Sequence, residues 1–131
     1  MTAQLHLTEI GRVVIPSADV DKAVDFYRDT LGFEVTVDEK FGDGQMRWVE
    51  LVPPGSSTAL AISPPPPGVE AQPIQSGIII STSDVEADHK ALKDEGVDVD
   101  EEIMRAPPPI PPMFQVRDPN GNSVWIVQPL Q

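Results

Sequence analysis

The chain has 131 residues, enough for one domain with a real core, since a chain of about 150 residues buries roughly two-thirds of its unfolded surface. It has no cysteine, which excludes disulfides, thiolate metal sites and cysteine nucleophiles. Its formal charge of −12, from 21 Asp and Glu against 9 Lys and Arg, repels phosphate backbones and anionic lipid heads and argues against nucleic acid as a partner. No apolar run approaches the ~18 residues that would span a bilayer, and Met1 to Leu7 lacks the basic, apolar and small-residue pattern of an export signal. A soluble, cytoplasmic protein with no membrane association is expected.

The first predicted element is the β-branched run at residues 11–15, long enough for a strand and too short for a helix. Asp19 then stands before a helical pattern in which Val20, Ala23, Val24, Tyr27 and Leu31 share one face, and Gly32 closes it. An Asp at the N-cap and a Gly just past the end are what a helix needs to satisfy its terminal backbone groups. Residues 33–38, 45–52 and 58–63 read as strands, separated by the turns Gly42-Asp-Gly44 and Pro53-Pro-Gly-Ser56. From Pro64 to Pro73 the prolines lack donors and fix φ, so this stretch reads as an extended linker.

The order then repeats. A strand at residues 77–80 leads to a helix capped by Asp84 and closed by Gly96, with Val85, His89 and Leu92 on one face. Residues 97–103, 113–117 and 123–127 read as strands, the last two joined by the turn Asp118-Pro-Asn-Gly-Asn122. The proline cluster from Pro107 to Pro112 reads as a loop at a rim. Residues 17–35 recur in outline at 82–99, with Asp19 matching Asp84 and Gly32 matching Gly96. The expected fold is α+β: one domain of two βαβββ modules, at about residues 8–63 and 76–129 with the linker at 64–75, forming a curved mixed-sheet cup.

This arrangement resembles the vicinal-oxygen-chelate superfamily, which includes glyoxalase I, extradiol dioxygenases and bleomycin-resistance proteins. The carriers are Asp19-Val-Asp-Lys-Ala-Val-Asp-Phe-Tyr-Arg-Asp-Thr-Leu-Gly-Phe33 and Arg117-Asp-Pro-Asn-Gly-Asn122, with the repeat between them. The likeness covers nearly the whole chain and implies the fold, but not the reaction, because isomerisation, ring cleavage, thiol transfer and sequestration all occur on this scaffold.

In the family's metal enzymes the first and last strands of each module supply four ligands, His or Gln early and Glu late. Transferred by spacing, the early positions fall on Arg12 and Gly77 and the late ones on Ala61 and Trp125. Arginine keeps its proton, and glycine, alanine and tryptophan offer no ligand atom. A slip of one residue turns Gly77 into Ser76 but creates no carboxylate or imidazole at any of the four positions. Neither a metal nor another cofactor is expected. The two histidines, His6 and His89, read as surface or structural residues, and no nucleophile motif or phosphate loop is visible, so catalysis has little support.

The resemblance implies instead that Arg12, Val14, Ala61 and Gly77 line a cup together with Ser123 and Trp125. Met113 and Phe114 on the neighbouring strand join the candidate ligand-binding residues. Trp48 and Glu50 share a strand face with Met46, and two readings stay open: Glu50 looks into the cup, or it is an exposed residue alternating with buried Val49 and Leu51. Trp125 offers a stacking platform and Arg12 a fork for an anion. A free Arg12 predicts an anionic or carbonyl-bearing guest. An Arg12 neutralised by Glu50 leaves the acidic envelope to favour a cationic aromatic one.

The leading functional expectation is a metal-independent binding protein of the bleomycin-resistance type that sequesters an aromatic small molecule or antibiotic. The alternative is a glyoxalase- or dioxygenase-like enzyme with a displaced metal site, and a third is a diverged interaction module without a small ligand. A homodimer is expected, because a lone chain of this size leaves apolar sheet surface uncovered.

Overall fold

The computed structural model describes residues 4–43 and 46–130 of the chain. In chain order it holds β1 (Arg12–Pro16), α1 (Val20–Asp25), which widens into a π-helical turn over Phe26–Thr30, then β2 (Glu34–Phe41), β3 (Met46–Val52) and β4 (Ala59–Ser63). The second half holds β5 (Gln75–Ser81), α2 (Val85–Asp94), β6 (Met113–Arg117) and β7 (Ser123–Val127). The first sheet has the order β1-β4-β3-β2 and the second β5-β7-β6. In each, the strand that precedes the helix runs parallel to the last strand of its module, and the remaining pairs are antiparallel. The fold is α+β, with two mixed sheets and few helices.

Both helices start as their cap residues dictate. The carboxylate of Asp19 accepts from the Lys22 amide at 3.1 Å, and that of Asp84 from the Ala87 amide at 3.0 Å. Gly32 and Gly96 end them at φ +80° and +77°, a conformation that costs an L side chain energy and glycine little. The first helix departs from a uniform α-helix, since its last turn is wide and the Leu31 amide bonds the Phe26 carbonyl. Tyr27, inside that turn, is fully buried, with Phe26 edge-on to its ring at 5.2 Å.

One apolar core spans both modules, with Ile15, Tyr27, Leu51 and Ile62 from the first and Val85, Phe114, Val116 and Ile126 from the second. A polar clamp reinforces it at the Asp118-Pro-Asn-Gly-Asn122 turn. The Tyr27 hydroxyl donates to Asp118 Oδ2 at 2.9 Å, and the Asn122 side-chain amide donates to the Pro16 carbonyl at 2.9 Å. Asn122 Oδ1 accepts from the Ile74 amide at 3.0 Å, so one side chain holds the end of β1 beside the start of β5.

One predicted strand is corrected. Residues 97–103 form no strand: the stretch meets β6 at the isolated bridge Val99 to Val116 and through hydrogen bonds of Asp98 and Asp100, and a second bridge, Met104 to Met113, follows it. The partner's backbone donor is taken by a side chain, because Asp100 Oδ2 accepts from the Gln115 amide at 2.9 Å. Four residues, 100–103, therefore lie between the bridges on one side against two, 114 and 115, on the other, and the ladder breaks.

Candidate ligand-binding face

Side chains alternate along a strand, so each sheet has a face toward the helices and one away from them. In the first sheet Ile15, Val49, Leu51, Leu60 and Ile62 enter the core. The opposite face therefore carries Arg12, Val14, Trp48, Glu50 and Ala61. The register places Val14 and Glu50 on either side of Ala61, which is sealed from solvent between them. Val14, by contrast, is 49% exposed, which marks this face as open.

Glu50 is the polar centre of that face. Its Oε2 accepts two bonds, from Arg12 Nε at 2.6 Å and from the Trp48 indole Nε1 at 2.7 Å. The carboxylate is covered by those two side chains rather than sunk among core residues, and its side chain is 9% exposed. The Trp48 indole donor, opposed by desolvation and assisted by Arg12, holds the Glu50 carboxyl below its ordinary value, so it is ionised at neutral pH. Glu50 is therefore not the exposed acid of one reading: it is buried on the face opposite Val49 and Leu51, and it pairs with Arg12, which is not free.

In the second sheet the face away from α2 carries Met113, Gln115, Arg117, Ser123, Trp125 and Val127, with Ile79 paired to Trp125 in register. Ile79 is 61% exposed and Trp125 half-buried, whereas Ser123 and Val127 on the same side are almost solvent-free. Arg117 is not free for an anion, because its Nη2 bonds Asp100 Oδ1 at 2.6 Å. Gly77 sits at a bulge where β5 and β7 slip between the pairs Gln75–Ser123 and Ile79–Trp125. Its φ of +73° in open space explains glycine there: an L side chain would meet no atom but would strain the backbone.

One candidate leaves the lining. Phe114 is fully buried on the helix side, its ring 4.9 Å from that of His89, because neighbouring strand residues cannot share the face that Met113 takes. His89 is likewise committed, with Nε2 against the Asp100 carbonyl at 2.7 Å. The sequence reading missed a cleft of about 610 Å³ between the modules, lined by Ile10, Val13, Phe33, Leu60, Ile78 and Ile80 among others. No local signal marks it, because its two walls belong to strands more than sixty residues apart, as Val13 and Ile78 do.

The two mixed sheets, one of four strands and one of three, each pack a helix on one face and turn the other face away from it. The chain belongs to the Glyoxalase/Bleomycin resistance protein/Dioxygenase superfamily, whose family model matches residues 9–126. A superfamily member from Sphaerobacter thermophilus DSM 20745 is 31% identical, with 95% of this chain and 99% of that one covered and a TM-score of 0.82. TnmS3, an antibiotic binding protein from Streptomyces sp. CB03234, is 29% identical over 97% of this chain and 100% of its own, with a TM-score of 0.80. YetH of Bacillus subtilis (strain 168) is 26% identical over 92 residues, 70% of this chain and 76% of YetH.

The metal used by enzymes of this fold does not fit these residues. Arg12 and Ala61 lie on adjacent strands of the first outer face, and Gly77 and Trp125 on adjacent strands of the second sheet, and none of the four carries a ligand atom. Glu50, in register with Ala61, is the one nearby carboxylate among the described residues, and its Oε2 is occupied by two donors. Among the described residues no three His, Asp or Glu converge as a metal site would require. No described helix is long and apolar enough to cross a membrane.

Proposed function

We propose that this protein is a metal-independent small-molecule-binding protein of the bleomycin-resistance type, which sequesters an aromatic ligand or antibiotic on its outer sheet faces. The observation that carries this reading is the chemistry at the four transferred ligand positions: a paired arginine, an alanine, a glycine and a tryptophan make a stacking surface, not a coordination sphere. The likeness to an antibiotic binding protein over almost the full length supports it. The proposed lining is Arg12, Val14, Trp48 and Glu50 around Ala61 on one sheet, and Met113, Ser123 and Trp125 beside Gly77 on the other. The protein acts as a single domain and as a cytoplasmic homodimer in which a second copy covers exposed apolar surface such as Leu5 and Leu7.

A second reading, a glyoxalase- or dioxygenase-like enzyme, is favoured by one feature, the ionised Glu50 next to a transferred ligand position. Metal analysis after purification without chelator separates the two. The binder is expected to carry no stoichiometric metal and to melt higher with aromatic compounds, regardless of chelator. A bound equivalent of Ni, Zn, Fe or Mn would overturn it. Light scattering is expected to give twice the 14.2 kDa chain mass, and a monomer at micromolar concentration would remove the dimer from the proposal.

A further inference from the structure

We propose that Trp48, Glu50 and Arg12 form the recognition element of the binding face, and that it selects a planar heteroaromatic cation bearing an N–H donor. This rests on the reading of the outer faces as a binding surface for aromatic guests.

The two tryptophans are not equivalent. The Trp48 indole is pinned by its own N–H to Glu50 at 2.7 Å, so its ring plane is fixed before a guest arrives. Trp125 has no hydrogen bond to its indole among the described residues, and its neighbours across the ladder, Ile79 and Gln115, present no charge. A guest stacked on Trp48 therefore meets a rigid platform with a carboxylate at its edge.

That carboxylate has an acceptor to spare. Both donors converge on Oε2, no donor reaches Oε1 among the described residues, and Oε1 is not a sealed atom. Arg12 does not turn the site toward anions. It gives Glu50 a single Nε contact instead of a two-pronged grip, and its side chain is 57% exposed, where water and salt screen it. The Glu50 side chain, at 9% exposed, is the charge that a bound ring would help to desolvate. The net charge of −12 adds a long-range pull of the same sign. A ring nitrogen or ring-borne amine that donates to Oε1 satisfies the free acceptor and places a cation beside the Glu50 carboxylate.

Fluorescence titration of the full chain tests this with three probes in a mildly alkaline buffer: proflavine as cation, acridine as its neutral skeleton, and naphthalenesulfonate as anion. Proflavine is expected to bind roughly 10- to 150-fold more tightly than acridine, the worth of one charge-assisted hydrogen bond. Glu50→Gln is expected to erase that preference while leaving acridine within about threefold. Trp48→Phe is expected to remove most of the quenching, and Trp125→Phe little of it.

Arg12→Gln, at an exposed position, keeps the test decisive if Glu50→Gln fails to fold. Losing the guanidinium removes the cation that competes for Glu50 and is expected to tighten proflavine by about threefold or more, whereas an anion-gripping Arg12 would lose naphthalenesulfonate and leave proflavine unmoved. Equal affinity for proflavine and acridine, quenching that follows Trp125, or preference for the sulfonate overturns the inference and leaves the binder standing. Failure of all three probes to bind sinks both.

Discussion

Tyr27→Phe removes one oxygen from the centre of the molecule and keeps the ring that packs against Phe26 and Phe33. Tyr27 is fully buried and Asp118 nearly so, and the hydroxyl that joins them at 2.9 Å bridges the two modules. Without it Asp118 keeps the Asn120 and Asn122 amides on Oδ1, but Oδ2 is left with the Asn122 side chain at 3.4 Å. A buried hydrogen bond to a charged group is worth about 1.5–3 kcal/mol, and no cavity is added. We therefore expect a loss of ~2 kcal/mol, seen in urea as a midpoint lower by ~1 M with the slope unchanged.

The same residue makes an alkaline prediction. Burial, and after it the Asp118 charge and hydrogen bond, push the Tyr27 hydroxyl far above its ordinary value. Because the folded value is raised, the stabilisation is complete below the unfolded value of ~10 and is lost as pH rises beyond it, by ~1.4 kcal/mol per pH unit. The gap between wild type and Tyr27→Phe is thus expected to be constant to about pH 10 and to close above it. Tyr27 is the only tyrosine in the chain, so tyrosinate absorbance reports it alone and is expected to appear only with unfolding. A gap under ~0.5 kcal/mol, or tyrosinate forming near pH 10 in a protein still folded by far-UV dichroism, would refute the clamp.

Two further perturbations follow from particular contacts. Asp19→Ala and Asp84→Ala each remove an N-cap and are expected to cost ~1 kcal/mol by denaturant midpoint, with Asn at either position restoring most of it; a neutral alanine would deny the caps their role. Glu50 is held below its ordinary value, so its contribution is present above about pH 4.3 and is lost as pH falls through the lower folded value. The acid limb of the stability profile is expected to flatten in Glu50→Gln, and an unchanged limb would show that the Trp48 and Arg12 bonds do not form in solution.

What the sequence disclosed was local. The Asp and Gly that bound each helix act within one turn of chain, and the Asp118 to Asn122 turn carries its own geometry, so both were legible from residue type and spacing. Alternation showed that Met46, Trp48 and Glu50 share a face but not which face the helices cover, because that depends on packing between elements. Placing Met113 and Phe114 in one lining was an error the strand period already contained. The broken strand at residues 97–103 was hidden, since β-propensity there is overridden by one carboxylate, that of Asp100, which captures an amide fifteen positions on.

The residues that make the family recognisable are not those that determine a ligand. Asp118, Asn120 and Asn122 spend their hydrogen bonds on Tyr27, Ala18, Ile74 and Pro16, on the side of the sheets where the helices pack, and so they fix how one module sits against the other. The outer faces carry no such duty: a sealed Ala61, a bulged Gly77 and a half-buried Trp125 there satisfy no buried polar group. Glu50 is the exception, a carboxylate held ionised on an open face because the Trp48 and Arg12 donors outweigh its desolvation. On the proposed reading of that face as a binding surface, this ionised carboxylate is the group that a donor on the guest would meet.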